Sequence, residues 1–589
     1  MDAARPTKAW KYALIPIVVM TILALYPQFT LWIGKDGWQG AYFVSNYDEV
    51  AYSAYVNSLI DGKPRRNDPF TGVDDAGQES LYSIQFIPAY AIALPARLLG
   101  VSASTAFILL IVAIAIFSAL ALFWLINAVT ANPWLGASGT LVILCFGTAA
   151  AFQGELRFWV QGRVLVDFLP FLRRYQPGFA FPIFFLFCGL VWRGFSQTIL
   201  KRALTYSAGA GILFVVLVFS YFYLWTAAAA WLGCLTLLNL VWNAENRPRI
   251  ITGSVLIAVF GAIALAPYFI MLANRAPLLD SVQLLTNSHM PEFASLSLLI
   301  GLIVASVTAF FSYRNKLSIR DPKVLLVISF ALTPFILFNQ QVITGRSLQP
   351  VHYEIFIANY LVLLAITLLT GMVVRSQTPR PKAFIYVAAL AAIWGMIEVT
   401  GSTGRNAVFA GIRDQSIPAI QIVDQNKAPD KTPVVLATNF ITSDFIPSVS
   451  SIRPLWNPHT SSAGGVSIVE NKRLFYLYLY YSGFTGRDLD EALRKNVFEV
   501  IAAIFGSERA LPALGQGNKI TADEIKAEVN KYETFVSSFN ADAAGNPILD
   551  YIIVPEKAEP NYGNLDRWYQ RDAGKSAGLF KVYKLTPTI

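Results

Sequence analysis

The chain has 589 residues, of which 55% are apolar and 14% charged, against roughly a quarter charged in soluble domains. That balance excludes an ordinary soluble protein, and the net charge of +9 is not gathered into the basic soluble face that a nucleic-acid reader needs. From Gly401 onward there are 20 basic and 20 acidic side chains, so the whole excess belongs to the first 400 residues.

In chain order, Arg5, Lys8 and Lys11 precede an apolar run over residues 12–33. The run is longer than a signal-peptide core and lacks a small-x-small cleavage site, so it reads as a retained helix. A spanning helix needs about 20 apolar residues. Eleven segments qualify, some of them short: 12–33, 105–128, 135–151, 179–195, 203–219, 223–242, 251–272, 296–311, 324–338, 355–374 and 384–399. With eleven spans, the N-terminus and every second loop hold Arg5, Lys8, Lys11, Arg193, Lys201, Arg202, Arg247, Arg249, Arg314, Lys316, Arg320, Lys323, Arg375, Arg380 and Lys382. These face only three acids, Asp2, Glu245 and Asp321. The positive-inside rule makes that side cytoplasmic. Counting residues 84–99, with Pro88 and Pro95, as a span would invert the later loops, so this segment reads as an interfacial or re-entrant helix.

The expected fold is therefore a polytopic α-helical membrane protein with a C-terminal extracytoplasmic α/β domain. Residues 1–400 form the membrane domain, with a first outer loop at 34–103, and residues 401–589 form the outer domain. In the latter, 434–437 and 551–554 read as buried strands, 473–481 and 488–504 as helices, and 579–585 as a closing strand. Cys145, Cys188 and Cys234 all lie in apolar runs, which excludes a disulfide framework and CxxC chemistry.

The first outer loop reads Ser45-Asn46-Tyr47-Asp48-Glu49-Val50, then Asp61-Gly62 and Asn67-Asp68-Pro69. Apolar residues at helical spacing from Glu49 to Ile60 predict a short helix lying on the membrane, with Asp48 and Glu49 at its favourable N-terminus. A helix cap at Asp48, worth about 1 kcal/mol, accounts for the local pattern equally well. The acidic pair shortly after the first spanning helix, the amphipathic continuation with a Gly near its end and the Asn-Asp-Pro turn resemble the GT-C superfamily of integral-membrane glycosyltransferases. That resemblance covers the topology of the whole chain but only about 25 residues of sequence. It implies transfer of a hexosyl or pentosyl group from a polyprenyl-phosphate-linked donor to a lipid, glycan or protein acceptor, typically with inversion.

A hydroxyl acceptor is a weak nucleophile and needs a carboxylate to take its proton. Asp48 is the candidate base, Glu49 its assistant, and Tyr47 a neighbouring substrate contact. Divalent-metal dependence stays open, because one acidic pair supplies too few oxygen ligands and Asp74, Asp75, Glu79 and Glu155 follow no recognisable spacing.

A leaving lipid phosphate calls for cations. The second long outer loop, 152–178, carries Arg157, Arg163, Arg173 and Arg174. Snorkelling explains one or two of them, while Arg173-Arg174-Tyr175 directly before a helix suits bidentate phosphate binding. A third polar stretch places Arg346, His352 and Glu354 at a membrane boundary, where ionisable groups are costly and usually functional; an interfacial ion pair is the plainer alternative. The aromatic run from Tyr221 to Trp225 reads as an interface belt.

Gly574-Lys575-Ser576 is not a phosphate loop, since Tyr569 stands where the first glycine is required, and HExxH, GxSxG and GxGxxG are missing. A transporter or flippase for lipid-linked saccharides and a non-catalytic membrane scaffold remain as rival readings. A flippase calls for broken or charged mid-membrane helices; Pro267 and Pro334 are the obvious proline breaks in the later segments.

Overall fold

The computed structural model describes residues 9–374, 381–428, 431–514, 518–558 and 560–588. Asp2, Arg5, Lys8, Arg375 and Arg380 of the topology count lie outside them. Among the described residues ten helices are long and apolar enough to cross a membrane: Ala9–Trp32, Ala103–Thr130, Pro133–Gln161, Leu200–Val218, Phe222–Trp242, Ala244–Ala273, Leu296–Tyr313, Pro322–Thr344, Pro350–Val373 and Pro381–Gln425. The chain is an integral membrane protein.

The eleventh expected span is the helix Ala180–Phe195, 16 residues long, or about 24 Å at 1.5 Å per residue. It is short for a bilayer core of about 30 Å and is mostly buried. Ile87–Leu99 has 13 residues and falls short by more, in keeping with its reading as a non-spanning helix. Helix pairing in this region relies on small residues, which let backbones approach where lipid gives no hydrophobic drive. At Gly147, for example, an added Cβ would lie 2.2 Å from the Tyr360 ring.

The chain divides into two compact units. The first comprises Met1–Phe29, Leu109–Ile270 and Leu285–Arg405; the second comprises Thr30–Ile108, Met271–Leu284 and Asn406–Ile589. The point of division falls inside the 45-residue helix Pro381–Gln425. Its first stretch is apolar and its second carries Arg405, Arg413 and Asp414.

The second unit thus joins the first loop to the C-terminal region. Its sheet runs in the order Arg453–Pro454, Val434–Ala437, Tyr551–Pro555, Phe580–Pro587, Tyr569–Arg571, with Lys575–Ala577 also on Phe580–Pro587. The first two pairings are parallel and the remainder antiparallel. Trp456 and the Leu474–Tyr481 run pack a continuous aromatic core beside the sheet. The helix expected at 488–504 is two helices, Gly486–Arg494 and Phe498–Phe505. Asn496 breaks it at φ 53°, a left-handed conformation that Asn tolerates at helix ends.

The helix of the first loop spans Asp48–Ile60, but every residue from Glu49 to Leu59 is buried. It does not lie on a surface. It packs against Phe440–Val449 and Ile87–Leu99, and side-chain bonds tie it to the former. Ser448 Oγ donates to Val50 O at 3.0 Å and Asn57 Nδ2 to Pro447 O at 3.2 Å. Ala51, Ala54 and Ser58 share one face of it, small enough to let a neighbouring helix close in.

Candidate functional site

In the second unit, Asp48 is the first residue of its helix rather than the cap. Tyr47 holds the cap position without a side-chain bond, and Asn46 Oδ1 accepts the Asp48 amide at 3.1 Å. The capping role that the local pattern allowed is thus filled by the backbone and Asn46. Glu49 is fully buried and turned back on the chain, where its Oε2 accepts the Ser45 amide at 3.0 Å. The preceding strand-like segment is pinned by Asp414, which accepts the amides of Gln39 and Ala41 at 2.9 and 3.0 Å.

The residues beside Asp48 come from far along the sequence. His459 lies 4.3 Å from the Tyr47 ring, centroid to centroid, and 6.1 Å from Phe70. Its Nδ1 is 2.8 Å from Asp444 Oδ1. Because a carboxylate only accepts, Nδ1 carries the proton in this pair. Asp444 sits on the helix Phe440–Val449, whose start is capped by Asn439, and both partners are buried. Burial pulls the His459 pKa down, but Asp444, by charge and hydrogen bond, and Asp48 push it above the ordinary histidine value, with Arg413 opposing them. Burial likewise raises the Tyr82 phenol, and the Asp48 charge adds to it.

Several buried polar atoms here lack a hydrogen-bond partner among the described residues: Ser45 Oγ, Arg413 Nε, Thr442 Oγ1, Asp444 Oδ2 and Asn457 Nδ2. Buried polar groups are nearly always paired with protein or water. Of these residues, Asp444 belongs to the pair with His459, and Arg413 acts on that imidazole.

The Asn67-Asp68-Pro69 turn belongs to the same unit. Asp68 accepts the amides of Phe70, Thr71 and Gly465 at 2.9, 3.2 and 3.0 Å. Burial still dominates those bonds and pushes its carboxyl up to about 6. At Gly465 an added Cβ would stand 2.2 Å from Asp68 Oδ2, so only glycine permits the contact.

The first unit holds the cationic candidates. Arg173, Arg174 and Tyr175 are all buried, so neither arginine snorkels. Arg173 donates through Nε to Gln176 O and lies 4.5 Å over the Phe356 ring. His352 is 5.2 Å from the same ring and 4.9 Å from Tyr223. Tyr221 and Tyr223 are buried and pack on this group instead of forming a lipid-facing belt. Arg346 is exposed on a short strand, paired with Asn287 across a two-stranded ribbon, apart from the buried group in its environment.

Glu354 opens a π-helical turn, Glu354–Ala358, an element often found at functional sites. Its Oε1 accepts the Ser297 amide and hydroxyl at 3.0 and 2.8 Å, and Oε2 accepts Ser295 Oγ. Glu354 therefore ties down the start of Leu296–Tyr313. It also lines a cleft of about 580 Å³ shared with Gln153, Arg157, Glu292, Ser295 and Phe338. Arg157 is steadied there by Gln153 Oε1 and Gln161 Oε1, each at 3.1 Å.

The sequence reading missed Asp444, His459 and Arg413 as a group, because nothing local links them. It also missed Glu398, a fully buried acid in the apolar run 384–399. Its Oε2 accepts the Glu155 amide at 3.0 Å, its Oε1 has no partner among the described residues, and Arg405 bridges Glu155 and Asp167 nearby. A charge in an apolar span was the available signal. Among the described residues no three His, Cys, Asp or Glu side chains gather closely enough to hold a metal ion.

The sequence matches no family model and no curated protein. Among solved structures, the chain is similar to the apo oligosaccharyltransferase of Archaeoglobus fulgidus, at 12% identity and TM-score 0.50, covering 96% of this chain and 73% of that one. It is also similar to the complex of that organism's oligosaccharyltransferase AglB with an inhibitory peptide and a dolichol-phosphate, at 12% identity and TM-score 0.45, covering 98% and 74%. A third is ArnT from Cupriavidus metallidurans bound to undecaprenyl phosphate, at 11% identity and TM-score 0.44, covering 98% of each chain. The first of these likenesses is one of fold: the chain has a fold like that of the archaeal oligosaccharyltransferase.

Proposed function

We propose that the protein is a membrane glycosyltransferase that moves a sugar from a polyprenyl-phosphate-linked donor to an acceptor on the outer face of the membrane, with inversion. The observation that carries this reading is the setting of Asp48. It stands at the start of a helix locked in place by Asn46 and by the helix Phe440–Val449, directly after Tyr47, whose ring contacts the buried His459–Asp444 pair. The GT-C-like fold shared with an oligosaccharyltransferase supports it.

In this reading Asp48 accepts the acceptor hydroxyl proton as oxygen closes on the anomeric carbon. Glu49, engaged with the Ser45 amide, keeps the loop in shape, and Tyr47 contacts substrate. Arg173, Arg174, Tyr175 and His352 meet the charge of the donor phosphate, where desolvated guanidinium groups act strongly. Arg157 and Glu354, lining the cleft, and Arg346 contribute further substrate contacts. The described residues do not assemble a divalent-metal site. The N-terminus is cytoplasmic and residues beyond Gly401 extracytoplasmic, on the strength of the basic loops.

Asp48→Asn tests the assignment. With purified protein and a lipid-linked donor, transfer falls by about 10² to 10⁴ while the thermal transition is retained. Full activity in Asp48→Asn overturns the base. Glu398, a buried acid within an apolar span, favours the flippase reading instead. That reading predicts donor translocation in reconstituted vesicles that survives Asp48→Asn and is lost in Glu398→Gln.

A further inference from the structure

Three features of the second unit converge on His459. Its Nδ1 is committed to Asp444 at 2.8 Å, which fixes the tautomer and puts the lone pair of the neutral ring on Nε2. Its ring is clamped between Tyr47, 4.3 Å away, and Phe70, 6.1 Å away, so the imidazole cannot swing. Tyr47 directly precedes Asp48, whose charge acts on the imidazole. A carboxylate that orients a buried imidazole through Nδ1 is the arrangement in which Nε2 handles a proton.

We infer that His459 is a proton relay for Asp48 in the transfer proposed above, and that Asp444 is its positioning residue. The inference rests on that reading. In the transfer step the acceptor O–H bond breaks and its proton passes to an Asp48 oxygen. The acceptor oxygen bonds to the anomeric carbon, and the bond from that carbon to the donor phosphate oxygen breaks, with its electron pair leaving on the phosphate. Asp48 then passes the proton to His459 Nε2. The imidazolium so formed is balanced by Asp444 and loses the proton to water, which restores both groups.

The relay must start neutral, so activity falls as pH drops through the His459 pKa. The groups facing the imidazole are Asp444 from Phe440–Val449, Asp48 and the Tyr47 ring from the first-loop helix, Arg413 from the long helix, and the Phe70 ring. The two carboxylates outweigh burial and Arg413, which places this limb above the ordinary histidine value.

The test measures pH–rate profiles of the full-length protein with a lipid-linked donor. His459→Ala is expected to lower turnover at least about ten-fold, abolish the acid limb and recover on addition of free imidazole. Asp444→Asn removes the carboxylate that raises the imidazole, so its acid limb moves to lower pH. If His459→Ala fails to fold, His459→Gln and the Asp444→Asn shift read the same property. An unchanged profile in both folded variants, or a loss that imidazole does not restore, overturns the relay. An inactive Asp48→Asn beside a fully active His459→Ala sinks the relay alone, whereas a fully active Asp48→Asn sinks the base and with it the reading on which the relay rests.

Discussion

The acids around the first loop and the arginines of the first unit hold buried charge by different means. In the second unit the carboxylates of Glu49, Asp68 and Asp414 accept backbone amides, and Asp444 Oδ1 accepts from an imidazole. In the first, Arg173 lies over Phe356 beside Tyr221, and Arg405 is held by Glu155 and Asp167. The contrast follows from the available partners. A loop has unpaired amides to offer, whereas a spanning helix has used its own except in its first turn, where Glu354 and Glu398 find the Ser297 and Glu155 amides. Away from helix starts, charge is solvated by side chains, with π faces or opposite charges. Amide-solvated acids are set by backbone shape, and side-chain-solvated bases by the identity of a few partners.

The sharpest way to break this contrast is Arg405→Ala. It leaves Glu155 and Asp167 without their shared counter-charge, and removing one member of a largely buried ionic group costs about 3–5 kcal/mol. A large drop in the thermal transition in detergent is expected, and no drop would show that the first unit does not depend on side-chain solvation. Next comes Gly465→Ala, whose Cβ would collide with Asp68 Oδ2. Overpacking of this kind costs about 1–3 kcal/mol, read in the same melts.

Arg173→Lys keeps the charge but loses the planar stack on Phe356. Stacking of this type is worth about 0.5–2 kcal/mol, so the donor KM should rise roughly ten-fold with kcat little changed. The last effect, spread over a pH range, belongs to Asp68→Asn. The folded carboxyl, pushed up to about 6 by burial, binds a proton where the unfolded one, near 3.9, does not. Its contribution is therefore most favourable at or below the unfolded value and is lost as pH rises toward 6, with a slope of up to about 1.4 kcal/mol per pH unit. Melts of Asp68→Asn between pH 4 and 7 should lack that component.

Parts of both clusters were legible in advance. Asp48 stood out because an acid after the first span belongs to a recognisable first-loop pattern, and Arg173-Arg174 because the pair defies the charge bias of its side. The buried first-loop helix was not legible. Its apolar spacing fits a membrane-surface helix equally well, and the cover comes from Ile87–Leu99 and from Phe440–Val449, almost 400 residues on. Likewise the break at Asn496 is invisible in periodicity, since the two short helices keep nearly the same apolar phase.

The sequence by itself determined the membrane class, the positions of nearly all spans and the strands Val434–Ala437 and Tyr551–Pro555. Hydropathy and alternation are local properties, and bilayer thickness or sheet burial reads them directly. Only the tertiary structure decided that the first loop and the C-terminal region form one unit, that Tyr221 and Tyr223 pack inward on Arg173 and His352, and that Tyr47, next to Asp48, meets His459 and through it Asp444. These depend on long-range packing, in which residues hundreds of positions apart satisfy one another's charge, and no local pattern carries that information.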